Sequence, residues 1–320
     1  MSGQTELAPI ALFVYRRLQH TRATVESLLR NSESQDSDLF IFCDAAKTAD
    51  VVDQVAEVRK FVEGISGFRS ITIVERKENF GLSRNIIGGV TDVLSKNGRV
   101  IVVEDDLVCS PFFLRYMNDG LDVYADDAAV ASIHGYVYPV HRPLPETFFL
   151  RGADCWGWAT WTRAWKCFRA DGRELLADLE RQNLLAEFDL EGAFAFAQML
   201  RDQIAGKNDS WAIRWHASTF LAGMYTLYPG KSLVQNIGHD ASGTHCHTTN
   251  AFESELTTDP VRLEKQNVVD NDDGKEAVRR FYVKQSEIAS AIDRSSIKIH
   301  RRIVTHLRRM LRRCWKYWIK

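Results

Sequence analysis

"RVIVVEDDLVCSPFF", Arg99 to Phe113, is the stretch on which the reading of this chain turns. Four branched apolar residues, Val100 to Val103, suit a strand buried on both faces, and three adjacent acids, Glu104, Asp105 and Asp106, stand where that strand should finish. Like charges set side by side at the end of a buried strand repel unless something positive neutralises them. A divalent cation with hard oxygen ligands does so, and it bridges onward to phosphate oxygens. The competing reading is an acidic cap on the helix that begins near Ser110 and Pro111, because acids are favoured at helix N-termini. One acid is enough for a helix dipole and Ser110 can cap alone, so metal and phosphate chemistry is the stronger expectation.

Upstream of this stretch, strand and helix patterns alternate. "PIALFVY" (9–15), "DLFIFCD" (38–44) and "SITIVER" (70–76) read as strands, with "RVIVVEDD" (99–106) as the fourth. "TRATVESLLRN" starts with a capping residue at Thr21, and "ADVVDQVAEVRKFVEGI" (49–65) and "SRNIIGGVTDVLSKN" (83–97) carry helical patterns. This order predicts an α/β fold with a mostly parallel sheet and helices on both faces. Ligands of such sheets bind at the carboxyl ends of the strands, where Asp44 and the acidic triplet fall.

The chain has 320 residues, 45% apolar and 26% charged, enough for a full core. Six cysteines in no paired spacing, and an N-terminus without the layout of a signal peptide, point to a reducing, cytoplasmic setting. No apolar run approaches the roughly 20 residues that cross a bilayer. The formal charge of −1 conceals an uneven distribution: nine of the 41 Lys and Arg lie between Ser295 and Lys320 among no acids, which leaves 32 bases against 42 acids before them. In that tail Ile303, Leu307, Met310, Cys314 and Trp318 share one helical face, with arginines around the rest. Residues 295–320 are therefore expected to form a basic amphipathic helix lying on an anionic membrane surface, each basic residue contributing about 1 kcal/mol. A helix packed on the protein body and a nucleic-acid patch are the alternatives, and nucleic acid is the weakest.

Several stretches in order, "FVYRRLQHTRATVESL", "FIFCD", "NFGLSRNI", "VVEDDLVCSPFFLRYM" and "CWGWATWTRAW", resemble nucleotide-sugar-dependent glycosyltransferases of the GT-A fold, near the family 2 enzymes and the animal N-acetylglucosaminyltransferase I type. The resemblance implies a Rossmann-like GT-A domain with a nucleotide-sugar half (1–140) and an acceptor half (141–294), followed by the tail. It implies that the triplet is the family's D-x-D motif, with Asp106 as the ligand of Mn²⁺ or Mg²⁺ and Glu104 and Asp105 facing the ribose and sugar. Arg17 would meet the base or phosphates, in a setting where Tyr15–Arg16 replaces the Asn or Asp common in relatives. Asp44 would accept the N3–H of uracil, which favours a UDP-sugar, and Gly81 and Arg84 would hold the diphosphate at a helix start. The bland alternatives are a solvated arginine, a turn-forming aspartate and a plain turn with an N-cap.

Six of the eight tryptophans lie between Trp156 and Trp215. Trp158, Trp161 and Trp165 fall at helical spacing; Trp161 and Trp165 are expected in the core, whereas Trp156 and Trp158, on either side of Gly157, are candidates for the acceptor cleft. An inverting transfer needs a carboxylate to take the acceptor proton. Asp209, in "NDSW", is the first candidate and Asp154 the second; a helix N-cap is the alternative for Asp209. In "LVQNIGHDASGTHC" (233–246), His239, Asp240 and His245 lie close together, and the resemblance makes His245 a further metal ligand. "DNDDGKEAVRRFYVKQ" is expected to be a helix packed on the sheet or spacing the tail.

The resulting expectation is a metal-dependent, inverting hexosyl- or N-acetylhexosaminyl-transferase, peripheral at the inner face of the cell membrane, acting in surface-polysaccharide or lipid-linked oligosaccharide synthesis. A sugar nucleotidyltransferase would share the sheet but should carry G-x-G-x-R where this chain has "YRRLQHT". A haloacid-dehalogenase phosphatase needs D-x-D-x-T, which "EDDLVCS" does not provide. A catalytically inactive carbohydrate-binding scaffold is the non-enzymatic alternative.

Overall fold

The computed structural model describes residues 6–140, 142–240 and 250–288. The first third is the expected alternation: β1 (Ile10–Val14), α1 (Leu18–Leu29), β2 (Asp38–Cys43), α2 (Val52–Glu63), β3 (Ser70–Glu75), α3 (Gly81–Asn97) and β4 (Arg99–Glu104). Each strand is a short apolar run bounded by polar residues, and β1 to β4 pair in parallel in the order β3-β2-β1-β4. Phe13 lies opposite Glu104, and Val14 opposite Cys43. The chain leaves β1, β2 and β4 on the same edge of the sheet, which therefore carries Arg17, Asp44 and the acidic triplet.

After β4 come β5 (Leu107–Cys109), α4 (Phe113–Val123), β6 (Val130–His134), β7 (Thr147–Arg151), β8 (Trp158–Trp161), α5 (Thr162–Trp165), α6 (Gly172–Arg181), α7 (Leu185–Phe188), α8 (Phe196–Ile204), α9 (Trp211–Leu221), β9 (Tyr225–Pro229) and β10 (Val234–Asn236). β8 runs antiparallel beside β4, and the sheet continues through β6, β9 and β7 to make eight strands among the described residues. Strands from either side of residue 140 thus share one sheet. β10 pairs with β5 in a separate two-stranded ribbon and brings the chain back over the triplet. A helix at 272–288 closes the described part, as expected from its sequence, with Val278, Phe281 and Tyr282 in the core.

Two local expectations change. α1 begins at Leu18, so Thr21 lies inside its first turn, where its hydroxyl donates to the Arg17 carbonyl at 2.9 Å instead of capping the helix. The tryptophans at 158 and 161 belong to a strand and not a helix, since "WATW" is hydrogen-bonded between β4 and β6. Trp158 is fully buried and packs on Trp211, Trp215 and Trp165 with ring centroids 5.5, 5.8 and 5.9 Å away. Its expected place in the acceptor cleft is therefore corrected to the core, which it shares with Trp161 and Trp165. The tail at 295–320 lies outside the described residues.

Candidate functional site

The triplet sits where β4 ends, and the backbone fixes it on two sides. Thr24 of α1 donates its hydroxyl to the Asp105 carbonyl at 2.9 Å, and the Ile237 N–H, just past β10, donates to the Asp106 carbonyl at 2.8 Å. Asp105 and Asp106 are buried. Arg17 reaches back from the end of β1: its Nη2 pairs with Asp105 Oδ1 and stands 2.8 Å from Asp106 Oδ2. Burial works against the Arg17 charge, but Asp105 and Asp106 outweigh it and raise the pKa further. One guanidinium among three acids leaves the site negative. Glu104 is accordingly pushed up to about 8, by burial first and then by repulsion from Asp106 and Asp105, with Arg17 opposing. Asp105 is pushed up to about 6 by burial, again opposed by Arg17.

Gly238 closes over the pair, and a Cβ there would collide with the Asp106 carboxylate, so only glycine lets the strand end approach so closely. Next to it, His239 has two buried ring nitrogens with no hydrogen-bond partner, and burial lowers its pKa against the pull of Asp106. Arg17 Nη1 is likewise buried without a partner. Among the described residues no three His, Cys, Asp or Glu side chains are grouped to hold a metal ion. A metal that arrives with a nucleotide needs only one or two protein ligands, because phosphate oxygens and water complete its shell. Asp106, with the partnerless His239 nitrogens beside it, fits that demand. His245 lies outside the described residues.

The phosphate-side candidates are spread differently from expectation. Asp44 is buried, and its carboxylate accepts from the N–H groups of Ala45, Phe80 and Gly81 at 2.9, 2.8 and 2.9 Å and from Asn79 Nδ2 at 3.0 Å. It therefore ties the start of α3 to the end of β2, which uses about all the acceptor sites of a carboxylate. Gly81 adopts φ +71°, a left-handed conformation suited to glycine, and opens α3. Arg84 is exposed, lies 3.3 Å from Glu78 and stacks on the Phe80 ring at 3.7 Å.

Asp209 precedes α9, whose N-cap is Ser210, not Asp209: the Ser210 hydroxyl accepts from the Ile213 N–H at 3.2 Å. The Asp209 side chain is 63% exposed and lies beside Gly81, 3.8 Å from where a Cβ would stand. What brings α9 to α3 is Arg214, a buried guanidinium that donates to the Ser83 hydroxyl and, at 3.1 Å, to the Ala170 and Ser210 carbonyls. Sequence reasoning passed over Arg214, although a lone charge inside the aromatic run "WAIRW" was a readable signal for a buried tie. On the other flank, Asp154 accepts from the Tyr138 hydroxyl at 2.7 Å, and Tyr138 accepts in turn from Tyr282 at 2.8 Å. Trp156 is half-buried, edge-on to Tyr136 and His239 with centroids 4.7 and 5.4 Å away. The structure thus gathers Arg17, Glu104, Asp105, Asp106, Trp156 and Asp154 on one side, and Asp44, Gly81, Arg84 and Asp209 around the start of α3.

No protein of curated function matches the chain. Among solved structures it is similar to a Pyrobaculum calidifontis mannosyltransferase, PcManGT, in complex with GDP-Man and Mn²⁺, at 15% identity and a TM-score of 0.32, over 41% of this chain and 35% of that one. It is also similar to S. aureus TarS, at 13% identity and a TM-score of 0.30, over 46% of this chain and 24% of that one. The chain spans about a third and a quarter of the lengths of these two proteins. A sequence model of glycosyl transferase family 2 matches residues 10–171, from the first strand through the triplet and past the tryptophan strand, which is half of the chain, and the chain belongs to that family.

Proposed function

We propose that this chain is a metal-dependent glycosyltransferase that moves a sugar from a nucleotide sugar to a saccharide acceptor with inversion at the anomeric carbon; the Asp44 carboxylate, engaged by four donors, does not favour uracil over other bases. The observation that carries the reading is the negative, water-poor triplet at the carboxyl edge of the sheet, with one guanidinium to balance it and partnerless nitrogens of Arg17 and His239 beside it. Such a place gains most from a cation and a polyphosphate arriving together.

Asp106 would hold Mn²⁺ or Mg²⁺, with a histidine from the strand end, His239 or the expected His245, as a further ligand. When bound, the metal supplies positive charge to the departing diphosphate. Arg17 Nη1 is free to donate to phosphate, and the exposed Arg84 stands at the α3 N-terminus, whose N–H groups favour anions. Glu104 and Asp105 would accept hydroxyls of the ribose and the transferred sugar. Asp209 takes the proton of the acceptor hydroxyl as that oxygen attacks the anomeric carbon, and the bond to the diphosphate oxygen breaks. Asp209 is 63% exposed with one loose ion pair, to Arg214 at 3.8 Å, whereas both oxygens of Asp154 are engaged, by Tyr138 and by the Cys155 N–H at 2.8 Å.

The basic tail gives the enzyme an anionic membrane surface as its station, and with it an acceptor of surface-polysaccharide or lipid-linked oligosaccharide type. No helix among the described residues is long and apolar enough to cross a membrane. The test is release of nucleoside diphosphate from a panel of UDP-, GDP- and dTDP-sugars with Mn²⁺ or with chelator. Metal-dependent release from one donor, abolished by Asp106→Ala, supports the reading; no release from any donor, with or without a saccharide acceptor, contradicts it.

A further inference from the structure

Beside Trp156 lies a cavity of about 280 Å³, between α9, the α7–α8 connection and the helix at 272–288. Tyr138, Trp156, Phe194, Phe196, Phe252 and Tyr282 form much of its described wall. It adjoins the triplet. His239 in its wall follows Gly238, at which a Cβ would collide with Asp106 Oδ2.

The polar groups of the described wall are mostly engaged with one another. Arg151 pairs with Glu187 at 2.9 Å, Asp270 with Lys275 at 3.2 Å, and Asp154 with Tyr138. His216 Nδ1 lies 2.9 Å from the Ala153 carbonyl. His239 keeps two partnerless nitrogens. A pyranose ring brings several hydroxyls, and each one buried without a partner costs about 1–3 kcal/mol. An apolar group brings no such demand, and an apolar cavity of roughly 150 Å³ holds a benzene ring. This space has about twice that volume.

We propose that the cavity receives an apolar aglycone of the acceptor, with the sugar it carries reaching past Trp156 and His239 toward the triplet. The inference rests on the glycosyltransferase reading and adds the class of acceptor to it. An acceptor of this kind is an amphiphile, a sugar joined to an alkyl or aryl group. His239 is placed to meet the first hydroxyl beyond the apolar part.

Isothermal titration of the full chain with methyl, n-octyl and 2-naphthyl β-D-glucopyranoside, the octyl compound below its micelle concentration, tests the proposal. At least one apolar glucoside should bind about tenfold or more tighter than the methyl glucoside, because its aglycone leaves water. Octyl preference identifies an alkyl aglycone and naphthyl preference an aromatic one. Met199→Trp or Ala212→Phe, each filling the space from a different helix, should remove the preference. Equal binding of the three glucosides to the wild type, or a preference that survives both substitutions, overturns the proposal. A parallel titration with UDP-sugars and Mn²⁺ separates the failures: a protein that binds a nucleotide sugar but not the apolar glucosides loses only this inference, and one that binds no nucleotide sugar loses the reading beneath it.

Discussion

Arg17 Nη2 stands 2.8 Å from Asp106 Oδ2 while also pairing with Asp105, so the last turn after β1 supplies the described counter-charge to the acids at the end of β4. The parallel pairing of these two strands, Phe13 opposite Glu104, sets that meeting. Without nucleotide, the guanidinium offsets part of the charge of the two buried carboxylates. Its second nitrogen, Nη1, is buried without a hydrogen-bond partner and is the atom proposed to meet phosphate.

Arg17→Ala should therefore destabilise the metal-free protein by about 3 kcal/mol at neutral pH, because removing one partner of a buried ion pair strands the other charges. Pairing it with Asp106→Asn should restore part of that loss. Urea unfolding in the presence of chelator measures both, and equal stability of Arg17→Ala and wild type would show that the pair contributes nothing.

Glu104 predicts a pH dependence of known sign. Its folded pKa is raised from 4.5 to about 8, so the protonated form is favoured by folding. That contribution is whole below pH 4.5 and fades as pH rises toward 8. In chelator, Glu104→Gln should be more stable than wild type by about 5 kcal/mol above pH 8, with the gap closing near pH 4.5. A constant gap across that window would contradict the assigned burial of the charge.

The two tryptophans flanking Gly157 should separate cleanly. Trp158→Ala opens a hole among Trp211, Trp215 and Trp165 and should cost about 3–5 kcal/mol. Trp156→Ala, at a half-buried wall, should cost about 1 kcal/mol and act chiefly on the acceptor KM. Thermal unfolding and steady-state transfer distinguish them.

Deleting residues 295–320 should abolish pelleting with phosphatidylserine-containing vesicles while leaving binding to neutral vesicles as weak as before. Retention on anionic vesicles after the deletion would assign the membrane contact to the protein body.

The parallel half of the fold was legible because its strands are short apolar runs and its helices carry one apolar face, so period alone separates them. The place of the acidic triplet was legible because an apolar run that turns abruptly to charge marks where a buried strand leaves the sheet. "WATW" was misread because tryptophans three and four apart fit a helix as well as a strand, and only pairing with β4 and β6 decides. Asp44 was readable as standing at the carboxyl end of a strand but not as a clamp, since its donors Asn79, Phe80 and Gly81 are more than thirty positions away in sequence. The reach of Arg214 to Ser83 and the chain from Tyr282 through Tyr138 to Asp154 join segments far apart in sequence, which a one-dimensional pattern does not connect.

The most direct test of the central claim is calorimetric titration of UDP, GDP and dTDP into the wild type and Asp106→Asn, with Mn²⁺ and with chelator. The account predicts tight binding of at least one of them to the wild type only with Mn²⁺, and binding to Asp106→Asn that Mn²⁺ does not improve. Equal affinity with and without Mn²⁺ for all three in the wild type, or an unchanged Mn²⁺ effect in Asp106→Asn, would contradict it.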